Sequence, residues 1–202
     1  FATEQGAWYN SSQWVNATRI AKWNGPGNWW RTAPSDWPDS PNAYWIWDRS
    51  GPYAMPQGHV YIRKEFSITE AGQYALFFAV DDAAEVYLDG ELIHTTAEHA
   101  WQETTREDVD LDVGAHVLAF KAYNYKSDAP GALIAAFYKI GNASSPTAAS
   151  QMFVTDNTWK VCAYPAVEPG WTPGQILLTL MAEAKARGVR FANNVTPTFT
   201  GT

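Results

Sequence analysis

From residue 59 onward the chain alternates apolar and polar positions with the period of two that marks half-buried β-strands. In VYIRKEFSI (60–68), Val60, Ile62, Phe66 and Ile68 point to one side and Tyr61, Arg63, Glu65 and Ser67 to the other. YALFFAV (74–80) is apolar throughout, as a strand covered on both faces requires. EVYLDGELI holds two strands around Asp89-Gly90, a dipeptide that favours the type I′ hairpin turn because both central residues need positive φ. DVDLDV (108–113) sets an aspartate at every other position, so one of its faces meets water. VLAFKAYNY (117–125) and ALIAAFYKI (132–140) complete the series.

Short strands punctuated by turns, with no helical periodicity before residue 145, predict an antiparallel β-sandwich of jelly-roll type. AWYN and QWVNATRIAKW extend the strand texture into residues 1–30. The predicted organisation is a sandwich over 1–140 and a linker over 141–150, where GNASSPTAAS is small, polar and proline-bearing. A small strand–helix module over 151–202 follows. Its helix opens at Thr172 with Pro173 and Gln175 in capping positions, shows Ile176, Leu177, Leu180, Met181 and Ala184 on one face, and closes at Gly188. The strand-like start after Gly188 then stops, and the first residues, FATEQGAW, show neither an initiator methionine nor a signal-peptide pattern. Both ends read as cuts in a longer chain.

Composition narrows the function classes. A net charge of −7 opposes binding to nucleic acid, whose phosphates need a basic groove. Nothing approaches the length of an apolar membrane span. The one cysteine, Cys162, rules out an internal disulfide within the chain and lies in an apolar, strand-like run where a buried thiol is expected. Aromatic residues reach 15%, with eleven tryptophans, eight of them within the first 47 residues. Tryptophan serves cores, but it also serves binding faces, since it joins an apolar ring to a polar N–H.

Two stretches resemble known families. WIWDRSGPY, VYIRKEFSI, AVDDAAEVYLDGELI, LDVGAHVLAFKAYNY and GALIAAFY, over about 37–140, are similar in order to the galactose-binding-like jelly roll, a domain that accompanies glycosidases and occurs on phage tails. FVTDNTWKVCAYPAVEPGWTPGQILLTLMAEAKARG (153–188) resembles a segment of minor tail proteins from siphophages of actinobacteria. The second resemblance implies a virion protein at the tail tip, extracellular, with other tail proteins as partners and the jelly roll as its carbohydrate-binding part.

Candidate sites follow from sugar chemistry. The C–H faces of a sugar ring pack on aromatic rings, and its hydroxyls seek carboxylates and amides at the rim. Trp37 has such neighbours in Asp39 and Asn42, and Trp29 and Trp30 precede it in the same irregular loop, either as loop anchors or as an exposed platform. Trp45 and Trp47 alternate through Ile46 and are expected in the core, on one side of a strand. HTTAEHAW (94–101) and YNYKSDAPG (123–131) are expected to share an end of the sandwich, where His94, His99, Trp101, Tyr125 and Asp128 line a groove. Asp81-Asp82 stands before the hairpin as a similar pair does in the protective-antigen type of sandwich, which implies a Ca2+ site with Asn124 as the amide ligand. The plainer alternative is an acid that closes a turn by accepting from backbone N–H groups.

No G-x-S-x-G elbow, phosphate-cradling glycine loop or triad-like grouping occurs. The expected function is therefore non-catalytic adhesion to a host cell-wall or surface glycan. A structural tail module and an accessory carbohydrate-binding domain cut from a glycosidase are the alternatives.

Overall fold

The computed structural model describes residues 15–22, 37–38, 42–48, 58–126, 131–140 and 150–163. Twelve strands are found among them: β1 Val15–Asn16, β2 Thr18–Lys22, β3 Tyr44–Trp47, β4 Gly58–Ile68, β5 Gly72–Asp81, β6 Ala83–Leu88, β7 Glu91–Thr95, β8 Thr105–Leu111, β9 Gly114–Asn124, β10 Ala132–Lys139, β11 Gln151–Val154 and β12 Lys160–Ala163. The first sheet runs β1-β12-β4-β9-β6-β7 and the second β2-β3-β10-β5-β8, with β11 also on β10. Each ladder is antiparallel. The β-sandwich expected from the alternation is what the chain forms.

The strand patterns explain where the core sits. Along β5 the even residues Tyr74, Leu76, Phe78 and Val80 enter the cluster between the sheets, where Ile62, Val86 and Phe120 meet them from the first sheet. The odd residues Ala75, Phe77 and Ala79 enter a second cluster on the outer face of the second sheet, with Trp45, Ile134 and Tyr138. A strand in contact with apolar material on both faces has no use for polar positions, so YALFFAV carries none apart from the Tyr74 hydroxyl, which donates to the Glu70 carbonyl at 2.7 Å. In β4 the side expected inward, Val60, Ile62, Phe66 and Ile68, does belong to the inter-sheet cluster. Its other side is less wet than the pattern predicts, since Tyr61 and Arg63 are also buried. The Asp89-Gly90 turn has φ of 51° and 92° and joins β6 to β7 as a two-residue hairpin.

Trp45 and Trp47 are both buried, as expected. They do not share a side, however: Trp45 joins the outer cluster and Trp47 the inter-sheet one. Trp47 lies so close to Gly131 that a Cβ there would sit 3.0 Å from its ring, so a larger residue at the entry to β10 requires the ring to shift by a few tenths of an ångström.

The sandwich does not end at residue 140. β11 pairs with β10 in the second sheet and β12 pairs with β4 in the first, so 151–163 belongs to the sandwich and not to a separate module. The bend between these strands crosses from one sheet to the other around Trp159, which has no exposed surface. Its indole N–H donates to the Val154 carbonyl at 2.9 Å, and its ring meets Phe120 and Phe153 at 6.1 and 6.0 Å. Thr155 completes the edge of β10 between β3 and β11: its N–H donates to Ala135 O at 2.8 Å and its carbonyl accepts from Tyr44 N at 3.0 Å. The chain near its start makes a matching crossing, β1 pairing with β12 and β2 with β3. The predicted helix from Pro173 to Arg187 lies outside the described residues.

Two outcomes are expected from this arrangement. Trp159→Ala removes a fully enclosed ring and costs about 3–5 kcal/mol of folding free energy, read by denaturant titration. Burial pushes the Cys162 thiol up from 9.0 to about 11. The folded chain then keeps a proton that the unfolded chain releases, so stability is lost as the pH rises between these values. At neutral pH, thiol reagents are expected to label Cys162 only as the chain unfolds.

Candidate functional site

The candidate groove loops meet at the corner where β5 hands over to β6. Asp81 ends β5 and pairs with Ala132 at the entry to β10. The Asp81–Asp82 peptide is cis. Asp82 then turns into the first sheet, its N–H donating to the Tyr123 carbonyl at 2.7 Å. Its carboxylate is 6% exposed as part of the residue and is held from two sides. Oδ2 accepts the Tyr125 backbone N–H at 2.7 Å, and Oδ1 meets His99 Nδ1 at 3.1 Å. A buried carboxylate satisfied by a backbone donor and an imidazole is a firm anchor, since charge-assisted hydrogen bonds are the stronger kind.

The loop that brings His99 is tied to the same corner. The Thr96 side chain accepts the Ala84 N–H at 2.8 Å, while its own N–H donates to Ala84 O at 2.9 Å. Ala100 N–H donates to Asp82 O at 3.0 Å. Between them His99 adopts φ of 61°, a left-handed conformation in which histidine is more frequent than most side chains. The residue is thus fixed by backbone bonds on either flank, and its side chain stays 63% exposed.

Along β9 the outward residues make a column. Lys121 Nζ lies 5.5 Å from the Tyr123 ring centroid, and the Tyr123 and Tyr125 rings are 6.2 Å apart and within 13° of parallel. His59 of β4 leans on Tyr123 from the side at 5.6 Å. Tyr125 closes the column beyond the end of the strand and remains 37% exposed. Its phenol is held above its usual value, first by burial and then by the charges of Glu98 and Asp82 and by Tyr123. An aromatic ring braced from behind, with a carboxylate and an imidazole at its rim, can pack on an apolar ring face and hydrogen-bond the groups around it.

The structure thus brings together His99, Tyr125 and Asp82. Asn124 is buried, on the inward side of β9, where its Cβ is 3.2 Å from the Cβ position that a side chain at Gly131 would occupy. Trp37 and Trp101 are elsewhere: both are half-buried and pack against the outer cluster of the second sheet, as anchors. Asn42 is exposed just before β3. His94 meets Glu107 of β8 at 2.6 Å and the Phe78 ring at 5.5 Å, and so serves the sandwich and not the corner. Trp29, Trp30, Asp39 and Asp128 lie outside the described residues. Tyr123 and His59 were missed at the sequence level. The alternation that puts Lys121, Tyr123 and Tyr125 on one side of VLAFKAYNY was a signal for the column.

For the calcium expectation, both oxygens of Asp82 already accept hydrogen bonds, in the geometry of the turn-closing alternative. A cation on Asp82 shares these oxygens with Tyr125 N–H and His99. Among the described residues no group of three or more His, Cys, Asp or Glu is placed to hold a metal ion.

Asp82→Ala removes the acceptor for Tyr125 N–H, and we expect a loss of about 1–3 kcal/mol of stability, measured by denaturant titration, because a part-buried donor is left without its partner.

No protein-family model matches the chain, and no curated protein does. Among solved structures, the chain is similar to an α-L-rhamnosidase of Streptomyces avermitilis complexed with L-rhamnose, at 22% identity and a TM-score of 0.50, over 65% of this chain and 13% of that one. It is also similar to a lectin of Pleurotus ostreatus in complex with GalNAc, at 17% identity and a TM-score of 0.52, over 80% of this chain and 44% of the lectin. The chain therefore spans less than half the length of either. At these identities the likeness is one of fold.

Proposed function

We propose that this chain is the carbohydrate-binding part of a phage tail-tip protein, with a galactose-binding-like jelly roll that grips host cell-surface glycan at the β5–β6 corner. The observation that carries this reading is the exposed Tyr125 ring, braced by Tyr123, at a corner where one Asp82 carboxylate accepts the Tyr125 backbone N–H and meets His99. Such a corner offers the two things a sugar needs, a flat apolar patch for its C–H face and polar groups for its hydroxyls. The sandwich likeness to a rhamnosidase and to a lectin supports the sugar assignment. The resemblance of residues 153–188 to minor tail proteins supports the virion assignment, with extracellular action and tail proteins as neighbours.

One such site is weak, because few sugar contacts exceed the cost of ordering the groups that make them. Several copies on one virion raise the effective affinity by about 10²–10⁴ through effective concentration, provided the spacing allows simultaneous contact. A second reading, an accessory domain of a glycosidase, is favoured by the rhamnosidase likeness, in which this chain corresponds to 13% of the enzyme.

The test is binding of the labelled chain to cell walls from a panel of actinobacteria, with calcium and with chelator. Saturable binding that is lost when wall polysaccharide is stripped, and that falls about tenfold or more in Tyr125→Ala, is the expected result. Trp37→Ala is expected to lower stability and leave affinity per folded molecule unchanged, since Trp37 packs against the sandwich. Sensitivity to chelator assigns a cation to Asp81, Asp82 and Asn124. Absence of binding to any wall moves the weight to a structural role in the tail.

A further inference from the structure

The polar atoms of the corner have a direction, and that direction bears on which sugars it accepts; the argument rests on the carbohydrate reading above. His99 Nδ1 faces Asp82 Oδ1. A carboxylate only accepts, so a neutral imidazole in this position carries its hydrogen on Nδ1 and leaves Nε2, on the other side of the ring, as a bare acceptor. The side chain is 63% exposed, so this nitrogen is open to a ligand. Glu98, exposed in the same loop, is an acceptor as well. Asp82 itself is an acceptor, already engaged by Tyr125 N–H.

The cations of this end are placed differently. Lys121 lies on the far side of Tyr123 and is 3.7 Å from Glu85. Lys126 is exposed and follows Tyr125 in sequence. His99, Glu98 and Asp82, the polar groups gathered at the corner with Tyr125, are therefore acceptors, two of them carboxylates.

We infer that the corner selects uncharged glycans, whose free hydroxyls donate to His99 Nε2 and Glu98 while the ring packs on Tyr125, and that it rejects uronic, sulfated and phosphorylated sugars. A hydroxyl supplies the hydrogen that each acceptor lacks. An anionic group supplies none and meets like charge at the rim, which is the usual way an interface excludes a wrong partner. The raised Tyr125 phenol agrees with a negative field at the ring, since Glu98 and Asp82 add to the effect of burial.

The test uses the whole chain and pairs of glycans that differ only in an anionic group, a neutral hexose against its uronate or sulfate. It is run at about pH 8 and read by titration calorimetry. The neutral member is expected to bind about tenfold or more tighter, a difference of about 1.4 kcal/mol. Glu98→Gln is expected to narrow the gap, and His99→Gly, which suits the φ of 61°, to weaken neutral sugars while the fold is retained. The imidazole nitrogen spectrum of the unliganded chain is expected to show the hydrogen of His99 on Nδ1. Equal or tighter binding of the anionic members, or a hydrogen on Nε2, overturns the inference alone. Silence across every pair overturns the carbohydrate reading and the preference with it.

Discussion

The enclosed Trp159 is the contact on which the rest of the sandwich depends. Two sheets of antiparallel strands need something to hold them face to face, and here the chain passes from one to the other directly around this ring. Its indole N–H is satisfied by the Val154 carbonyl, so this large ring is buried without an orphaned donor. Its backbone carbonyl accepts the Ala17 N–H at 2.8 Å, which ties the early crossing from β1 to β2 to the late one from β11 to β12. A single residue thus couples the start and the end of the described chain. Just before this ring the Asp156 carboxylate accepts the Thr158 N–H at 2.7 Å and shapes the turn that presents Trp159 to the core.

The candidate site is a consequence of the same sheet geometry at the opposite corner. β5 is central in the second sheet and β6 pairs with β9 in the first, so the step from Asp81 to Ala83 is another crossing between sheets. A crossing exposes backbone donors that no ladder satisfies, and a buried carboxylate is one answer to them. Asp82 supplies that answer and, with its other oxygen, orients His99. The arrangement that closes the corner is therefore also the one that presents an imidazole beside Tyr125. Under the proposed function, stability and recognition share a residue here, which is why the two kinds of measurement on Asp82 and on His99 carry different information.

Local chemistry made some of this readable in advance. Asp89-Gly90 needed only the φ preferences of two residues, and the two-sided burial of β5 needed only a run without polar positions. Trp45 and Trp47 were readable as core but not as residues of different clusters, because near the end of a strand the side a ring occupies depends on what lies beside it, here Gly131. The boundary expected at residue 151 came from the change in composition after residue 140. That signal was misleading because β11 and β12 have four residues each, too few to show a period, and their partners are strands far away in the chain.

The amino-acid pattern alone settles that the chain is a sandwich of short antiparallel strands, since alternation, hairpin turns and apolar runs are properties of neighbouring residues. It also settles the supply of aromatic rings and acids from which the candidate site is made. Which of those meet is decided only when the sheets close. Tyr125, Asp82 and His99 lie on three separate segments, and their contact depends on pairing between β6 and β9 and on a loop bonded back to Asp82. Trp37 and Trp101, whose neighbours promised as much, are turned against the second sheet. The pairing energies behind these choices are long-range, and no window of sequence contains both sides of them.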